Sequence, residues 1–227
     1  MKHLVLLHGA VGSKTQMEPL QQQLQSHYVV HNLDLPGHGG LHLPEEFSIP
    51  FFADYVASYC SEQGINDASF FGYSMGGYVA MFLAKQQPAM VEKLVTLGTK
   101  FQWDATIAAH EMQMLLPDVI EKKLPQFAKV LQQRHHPAVW KQVLAMTAAM
   151  LQKMGGDNPI KPAGYGQLQV PTLLMVGDRD KTVTLEETVA VSKALPSAQL
   201  CVLPGTPHPI EKVDAELTAQ IIRKFLM

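Results

Sequence analysis

Charge is scarce in this chain of 227 residues: charged side chains make up 17%, and 18 Lys and Arg against 20 Asp and Glu leave a net charge of -2. That balance excludes the basic field a nucleic-acid partner requires, and no basic amphipathic stretch offers a membrane surface. Cysteine is scarcer still. Cys60 and Cys201 fall far apart, one in a predicted helix and one in a predicted strand, and neither has the neighbours of a metal site. They read as reduced core residues of a cytoplasmic protein in preference to a disulfide. No apolar run approaches the ~20 residues of a membrane span. The opening run up to Gly9 is too short for a signal peptide and lacks a small-residue cleavage site, so it reads as a buried strand. Internal repeats and low-complexity tracts are missing too. Apolar residues are plentiful, at 47%, in a chain long enough for one large α/β domain or two small ones.

Short, mostly unbroken apolar runs at 3–7, 28–33, 69–73, 94–97, 172–176 and 199–203 have the form of strands buried on both faces. Helical patterns lie between them, at 16–26, 51–63, 76–87, 185–194 and 211–226. Thr15-x-x-Glu18 and Thr184-x-x-Glu187 have the form of capping boxes. Strand and helix alternate, which predicts a doubly wound, mostly parallel sheet with helices on both faces. The alternation fails between 101 and 166. That stretch shows helical pattern cut by Pro117, Pro125, Pro137 and Pro159, and it is rich in methionine. An insertion at the carboxyl end of a sheet strand emerges where ligands bind in open α/β sheets, so it is expected to cap the site. The division is therefore a core of 1–100 and 167–227 with a helical cap of 101–166. Ordinary helices beside the sheet are the plainer alternative.

Within the third strand region the chain reads Phe70-Phe71-Gly72-Tyr73-Ser74-Met75-Gly76-Gly77. A serine between glycines, after a strand and before a helix, has the form of a nucleophile elbow. Glycine has no β-carbon to collide at so tight a corner. The following helix aims unpaired N–H groups at the place where an oxyanion would form. By itself the pattern also describes a glycine-rich corner with an incidental serine.

A serine nucleophile needs a base, and the base an orienting acid. Of the ten histidines, His208 lies on the Pro- and Gly-framed loop after the last predicted strand, at the same sheet edge as Ser74. After the preceding strand, Gly177-Asp178-Arg179-Asp180 offers two acids. Asp180 suits the loop crest, while Asp178 suits bonding of backbone N–H groups in the turn. The order Ser74, Asp180, His208 is that of nucleophile, acid and base in one known class of hydrolases. Oxyanion donors would be the N–H groups of Met75 and of Ala10, in the loop His8-Gly9-Ala10-Val11-Gly12. His8, beside Gly9 at a strand end, reads as a structural residue bonding neighbouring loops.

These residues closely resemble the α/β-hydrolase superfamily. His8-Gly9 is similar to its His-Gly oxyanion turn, Asp34-Leu35-Pro36-Gly37-His38-Gly39 to its D-x-P-G-x-G loop, Gly72 to Gly77 to its elbow, and Gly177-x-x-Asp180-x-x-Val183 to its acid loop. The resemblance covers nearly the whole chain and supports Asp180 separately. It implies the α/β-hydrolase fold, the triad and a cap. Because the chain opens at what would be the family's third strand, it implies a smaller sheet of about six parallel strands. Pro-His-Pro stands where Gly-His is commoner, which stiffens the histidine loop. Ser74 disfavours dehalogenase and epoxide-hydrolase chemistry, for which those relatives use an aspartate.

The expectation is a serine hydrolase acting on a small-molecule acyl substrate, first a carboxylic ester, with no metal, no cofactor, no nucleic acid and no membrane partner. Phe101, Trp103, Met112, Trp140 and Met146 are the cap residues expected to bind substrate. Carbon–carbon bond hydrolysis or a lyase reaction, acyl transfer to another acceptor, and a non-catalytic small-molecule receptor remain the alternatives. Oligomeric state is open.

Overall fold

The computed structural model describes residues 1–136 and 139–227. Pro137, one of the breaks read from the sequence, lies outside them. Six strands, β1 (His3–Leu7), β2 (Val29–Leu33), β3 (Ala68–Tyr73), β4 (Val91–Leu97), β5 (Thr172–Gly177) and β6 (Ala198–Leu203), make one sheet in the order β2-β1-β3-β4-β5-β6. Every neighbouring pair is parallel. The order reverses at β1, which pairs with β2 on one side and β3 on the other. The crevice between β1 and β3 is therefore the switch point where such sheets bind ligands.

Alternating side chains divide the core in two. Leu4, Leu6, Phe71, Val95 and Met175 face α1 (Glu18–Leu24) and α9 (Ala215–Leu226), whose Leu20, Leu24, Ile222 and Leu226 pack against them. Val5, Leu7, Phe70, Leu94 and Leu174 face the other way, against Phe52 and Val56 of α2 (Ile49–Glu62) and Val79 and Leu83 of α3 (Met75–Gln86). Each such side chain, fully removed from water, stabilises the fold by about 1.5–3 kcal/mol. Covered on both faces, the inner strands β1, β3 and β5 carry nearly unbroken apolar runs, while the edge strands β2 and β6 stay partly exposed.

Local chemistry sets the helix ends. The Ser48 hydroxyl accepts the Phe51 N–H at the start of α2, and Thr184 and Glu187 close a reciprocal capping box at α8 (Leu185–Ala194). The first box differs from the sequence reading. Ser13 and Gln16, not Thr15 and Glu18, cap a 3-10 turn, Lys14–Met17, and α1 starts only at Glu18. Pro19 lacks an N–H and suits the first turn of a helix, so it sets that start. The last helix likewise starts at Ala215, where the Asp214 carboxylate accepts the Leu217 N–H, and not at 211.

Between β4 and β5 the described residues hold four helices, α4 (Ala105–Gln113), α5 (Pro117–Lys123), α6 (Pro125–His135) and α7 (Trp140–Gly156), and a 3-10 turn, Pro162–Gln167. Pro117 and Pro125 each open a helix instead of interrupting one. Helix α4 packs on α7, and α6 on α5 and α7. Cys60 is buried on α2 and Cys201 half-buried on β6, both as free thiols. No helix among the described residues is long and apolar enough to cross a membrane.

Candidate active site

Ser74 occupies the corner between β3 and α3 with φ 51° and ψ -118°. A non-glycine residue at positive φ is strained and persists only where its surroundings hold it. Here the Ser74 N–H donates to the Leu97 carbonyl at 2.8 Å, and its own carbonyl accepts the Thr99 hydroxyl at 3.0 Å. A β-carbon on Gly76 would run into the Leu7 and His8 carbonyls, so only glycine lets α3 start this close to β1.

The neighbouring strand ends carry an acid and a base in contact. Nδ1 of His208 lies 2.7 Å from Oδ2 of Asp180, whose side chain is 2% exposed. The other carboxylate oxygen accepts the N–H groups of Thr182 and Val183, each at 2.8 Å. A neutral ring that donates from Nδ1 leaves the Nε2 lone pair free to take a proton. The Tyr73 hydroxyl donates to the His208 carbonyl at 3.0 Å, fixing the loop from beneath. Asp178 also serves this loop: its carboxylate accepts the Thr206 N–H at 3.2 Å, the backbone role read for it from the sequence. Gly98, at φ 57°, lies against both partners, with its missing β-carbon 3.3 Å from Asp180 Oδ2 and from the His208 ring.

Ala10, Ser74 and Met75 line one cavity of about 80 Å³, walled otherwise by Ile49, Tyr78, Lys100 and Trp103, with Met150, Leu151 and Met154 from α7 and the polar Glu111 and Thr182. Met75 is the first residue of α3, where a helical N–H has no partner within the helix. Of the insertion residues expected to meet substrate, Trp103 is in this wall. Phe101 is buried edge-on against Tyr165, Met112 faces a separate groove between α4 and α7, Trp140 is in the core, and Met146 packs against that core. On α7 the difference is mainly one of position along the axis: Trp140 shares the buried side with Met150 and Met154 but lies about 15 Å nearer the start of the helix, and Met146 falls at the edge of that side.

The sequence reading also missed Lys100. Its ammonium donates to the Thr182 carbonyl at 2.6 Å and lies 3.8 Å from Glu111 and 3.7 Å from Glu187. Glu187 is buried and accepts the Phe101 N–H as well as capping α8. A lone lysine after a strand gives no signal of such a role. His8 is structural, as expected. Its Nδ1–H donates to the Gly9 carbonyl at 2.8 Å and its Nε2 accepts the Leu35 N–H at 3.0 Å. Burial pushes its pKa down to about 4. Burial likewise lowers His38 and His135, whose rings lie against one another.

Known proteins resemble this chain in sequence and fold. A stretch of 98 residues is 36% identical to the pimeloyl-[acyl-carrier protein] methyl ester esterase of Aeromonas salmonicida, covering 42% of this chain and 37% of that protein. The chain thus spans little more than a third of the first relatives it matches. A full-length match, 24% identical over 241 residues, joins 98% of this chain to 93% of the Vibrio campbellii enzyme of the same name. Among solved structures, a thermophilic esterase from Thermogutta terrifontis superposes with a TM-score of 0.79 at 25% identity, over 100% of this chain and 89% of that one. The meta-cleavage product hydrolase of Pseudomonas fluorescens IP01 shares the fold, with a TM-score of 0.82 at 17% identity over 100% and 90% of the two chains. The profile of the alpha/beta hydrolase family matches residues 4–220, and the chain belongs to that family.

Proposed function

We propose that this protein is a serine hydrolase that cleaves a small carboxylic ester through an acyl-enzyme intermediate. The observation that carries the reading is the strained Ser74 corner, open to a cavity at the sheet edge where Asp180 orients His208. In this scheme Nε2 of His208 takes the Ser74 proton as the hydroxyl oxygen attacks the ester carbonyl. The N–H groups of Ala10 and Met75 hold the oxyanion, and Asp180 stabilises the imidazolium. His208 then protonates the leaving alkoxide, and water deprotonated by the same ring releases the acid. These protein groups complete the reaction without metal or cofactor.

Residues 101–166 act as the cap, with Trp103, Glu111, Met150, Leu151 and Met154 supplying the outer wall of the acyl pocket. At about 80 Å³ the cavity is smaller than the apolar cavity of about 150 Å³ that holds benzene, so an acyl group of a few carbons fits it. Relatives named as esterases support an ester over a carbon–carbon bond. The protein is taken to work in the cytoplasm on a diffusible substrate.

A panel of p-nitrophenyl esters of rising acyl length tests the reading. Turnover should peak at short acyl chains and vanish in Ser74→Ala. No turnover across the panel by folded wild-type protein would overturn it.

A further inference from the structure

The loop that follows β1 holds a second strained residue. Gly9 to Gly12 form a tight turn closed by the Gly12 N–H on the Gly9 carbonyl at 3.1 Å, and within it Val11 has φ 51°. A β-branched residue at positive φ is a backbone outlier, and this position in a turn ordinarily belongs to glycine. The residue before it, Ala10, lines the cavity beside Ser74.

What holds Val11 comes from the last turn of α6. Its carbonyl accepts two hydrogen bonds, from Nη1 of Arg134 at 3.0 Å and from Nε2 of His135 at 2.8 Å, which uses both lone pairs. His135 is buried, and its Nδ1 accepts the Gly39 N–H at 3.3 Å, which assigns the remaining proton to Nε2. The Arg134 side chain is 9% exposed. Its Nη2 reaches Glu211, three residues beyond His208, at 3.3 Å, and Glu211 also takes the Gln16 amide at 2.6 Å. One guanidinium thus ties the turn beside Ser74 to the segment that follows the histidine.

We infer that Arg134 and His135 are positioning residues: from the insertion they clamp the Val11 carbonyl, hold the Gly9–Gly12 turn in its strained form, and so keep the Ala10 N–H aimed into the cavity. Relief of the strain requires rotation about the Val11 N–Cα bond. That rotation either pulls the carbonyl from its two donors or turns the Ala10–Val11 peptide, which shifts Ala10 at the cavity wall and with it the Gly9–Ala10 peptide that carries the Ala10 N–H. Seating of α6 and readiness of the oxyanion site become one event. The inference rests on the ester-hydrolase reading for its catalytic meaning, and on geometry alone for the clamp.

Two readouts separate these. In Arg134→Met/His135→Phe protein, kcat on the preferred p-nitrophenyl ester should fall roughly 10- to 100-fold with KM within about three-fold, as expected when a reacting geometry loosens while binding stays. A purely structural role would instead lower the folded fraction and leave the kcat of the remainder unchanged. In a Val11→Gly background, where positive φ carries no strain, the same pair of changes should cost about three-fold or less. Amide hydrogen exchange across residues 9–12 should rise about ten-fold in the clamp variant, and it reads the clamp whether or not esters turn over. Arg134→Met alone serves where the double change prevents folding. Unchanged exchange, unchanged kcat in an active enzyme, or the same loss in both Val11 backgrounds would overturn the clamp. Wild-type protein inert to every ester would overturn the functional reading, with exchange still deciding the clamp.

Discussion

Oδ2 of Asp180 stands 2.7 Å from Nδ1 of His208, while Oδ1 of the same carboxylate is held by the N–H groups of Thr182 and Val183. Both oxygens are committed, so the carboxylate cannot turn and the imidazole is oriented through it. Asp180→Asn keeps an oxygen for one set of partners but presents an amide to the other, favouring the tautomer with its proton on Nε2. Turnover should fall by about 10⁴-fold while circular dichroism stays native; a loss below ten-fold would remove Asp180 from the mechanism.

Gly98 gives a second test, because its missing β-carbon lies 3.3 Å from both members of that pair and its φ is positive. Gly98→Ala should crowd the His208 ring and reduce kcat about ten-fold or more, as expected for displacement of a catalytic base. Gly64→Ala, at φ 68° with open space around it, is the matched control and should leave kcat unchanged. Equal effects from the two would show that the contact with Asp180 and His208 is immaterial.

The residues of the 101–166 insertion separate by measurement. Met150→Ala enlarges the cavity wall and should shift the acyl-length optimum upward by one or two carbons. Trp140 is 3% exposed and away from that wall, so Trp140→Ala should cost about 3–5 kcal/mol of stability and leave the optimum where it was. Urea unfolding and the ester panel read the two effects.

Acid should unfold the protein earlier than its near-neutral charge balance implies. The pKa of buried His8 is pushed down to about 4 by loss of hydration, against 6.5 in the unfolded chain. Between those values the unfolded state binds more protons, so stability is full above pH 6.5 and falls as pH drops toward 4. The loss from His8 is on the order of 3 kcal/mol. His38 and His135 are lowered in the same direction and add to the slope. Urea midpoints at pH 7.5 and 5 should differ accordingly, and a flat profile would contradict the neutral, buried state of His8.

The strand order of residue types made most of this legible. Unbroken apolar runs mark strands covered on both faces, and Ser74, Asp180 and His208 each follow one of them, so topology alone brings them to one sheet edge. Asp178 and His8 were also readable, because a short acid or a ring at a strand end bonds the nearest backbone. The cavity wall was not. Trp140, Val143, Leu144, Met150, Leu151 and Met154 mark the buried side of α7 at helical spacing, but which stretch of that side meets the cavity depends on how α4 and α6 pack on it, and no local pattern carries that. Lys100, Arg134 and His135 were invisible for a related reason: each acts through a partner 80 or more positions away, at Thr182 or Val11.

The central claim is that Ser74 is an activated nucleophile. Incubation with a fluorophosphonate probe, followed by mass spectrometry of the peptide containing residues 70–80, measures it directly. Wild-type protein should carry one adduct, on Ser74, and Ser74→Ala and His208→Ala proteins none. Folded wild-type protein that stays unlabelled, or is labelled at another residue, would contradict it.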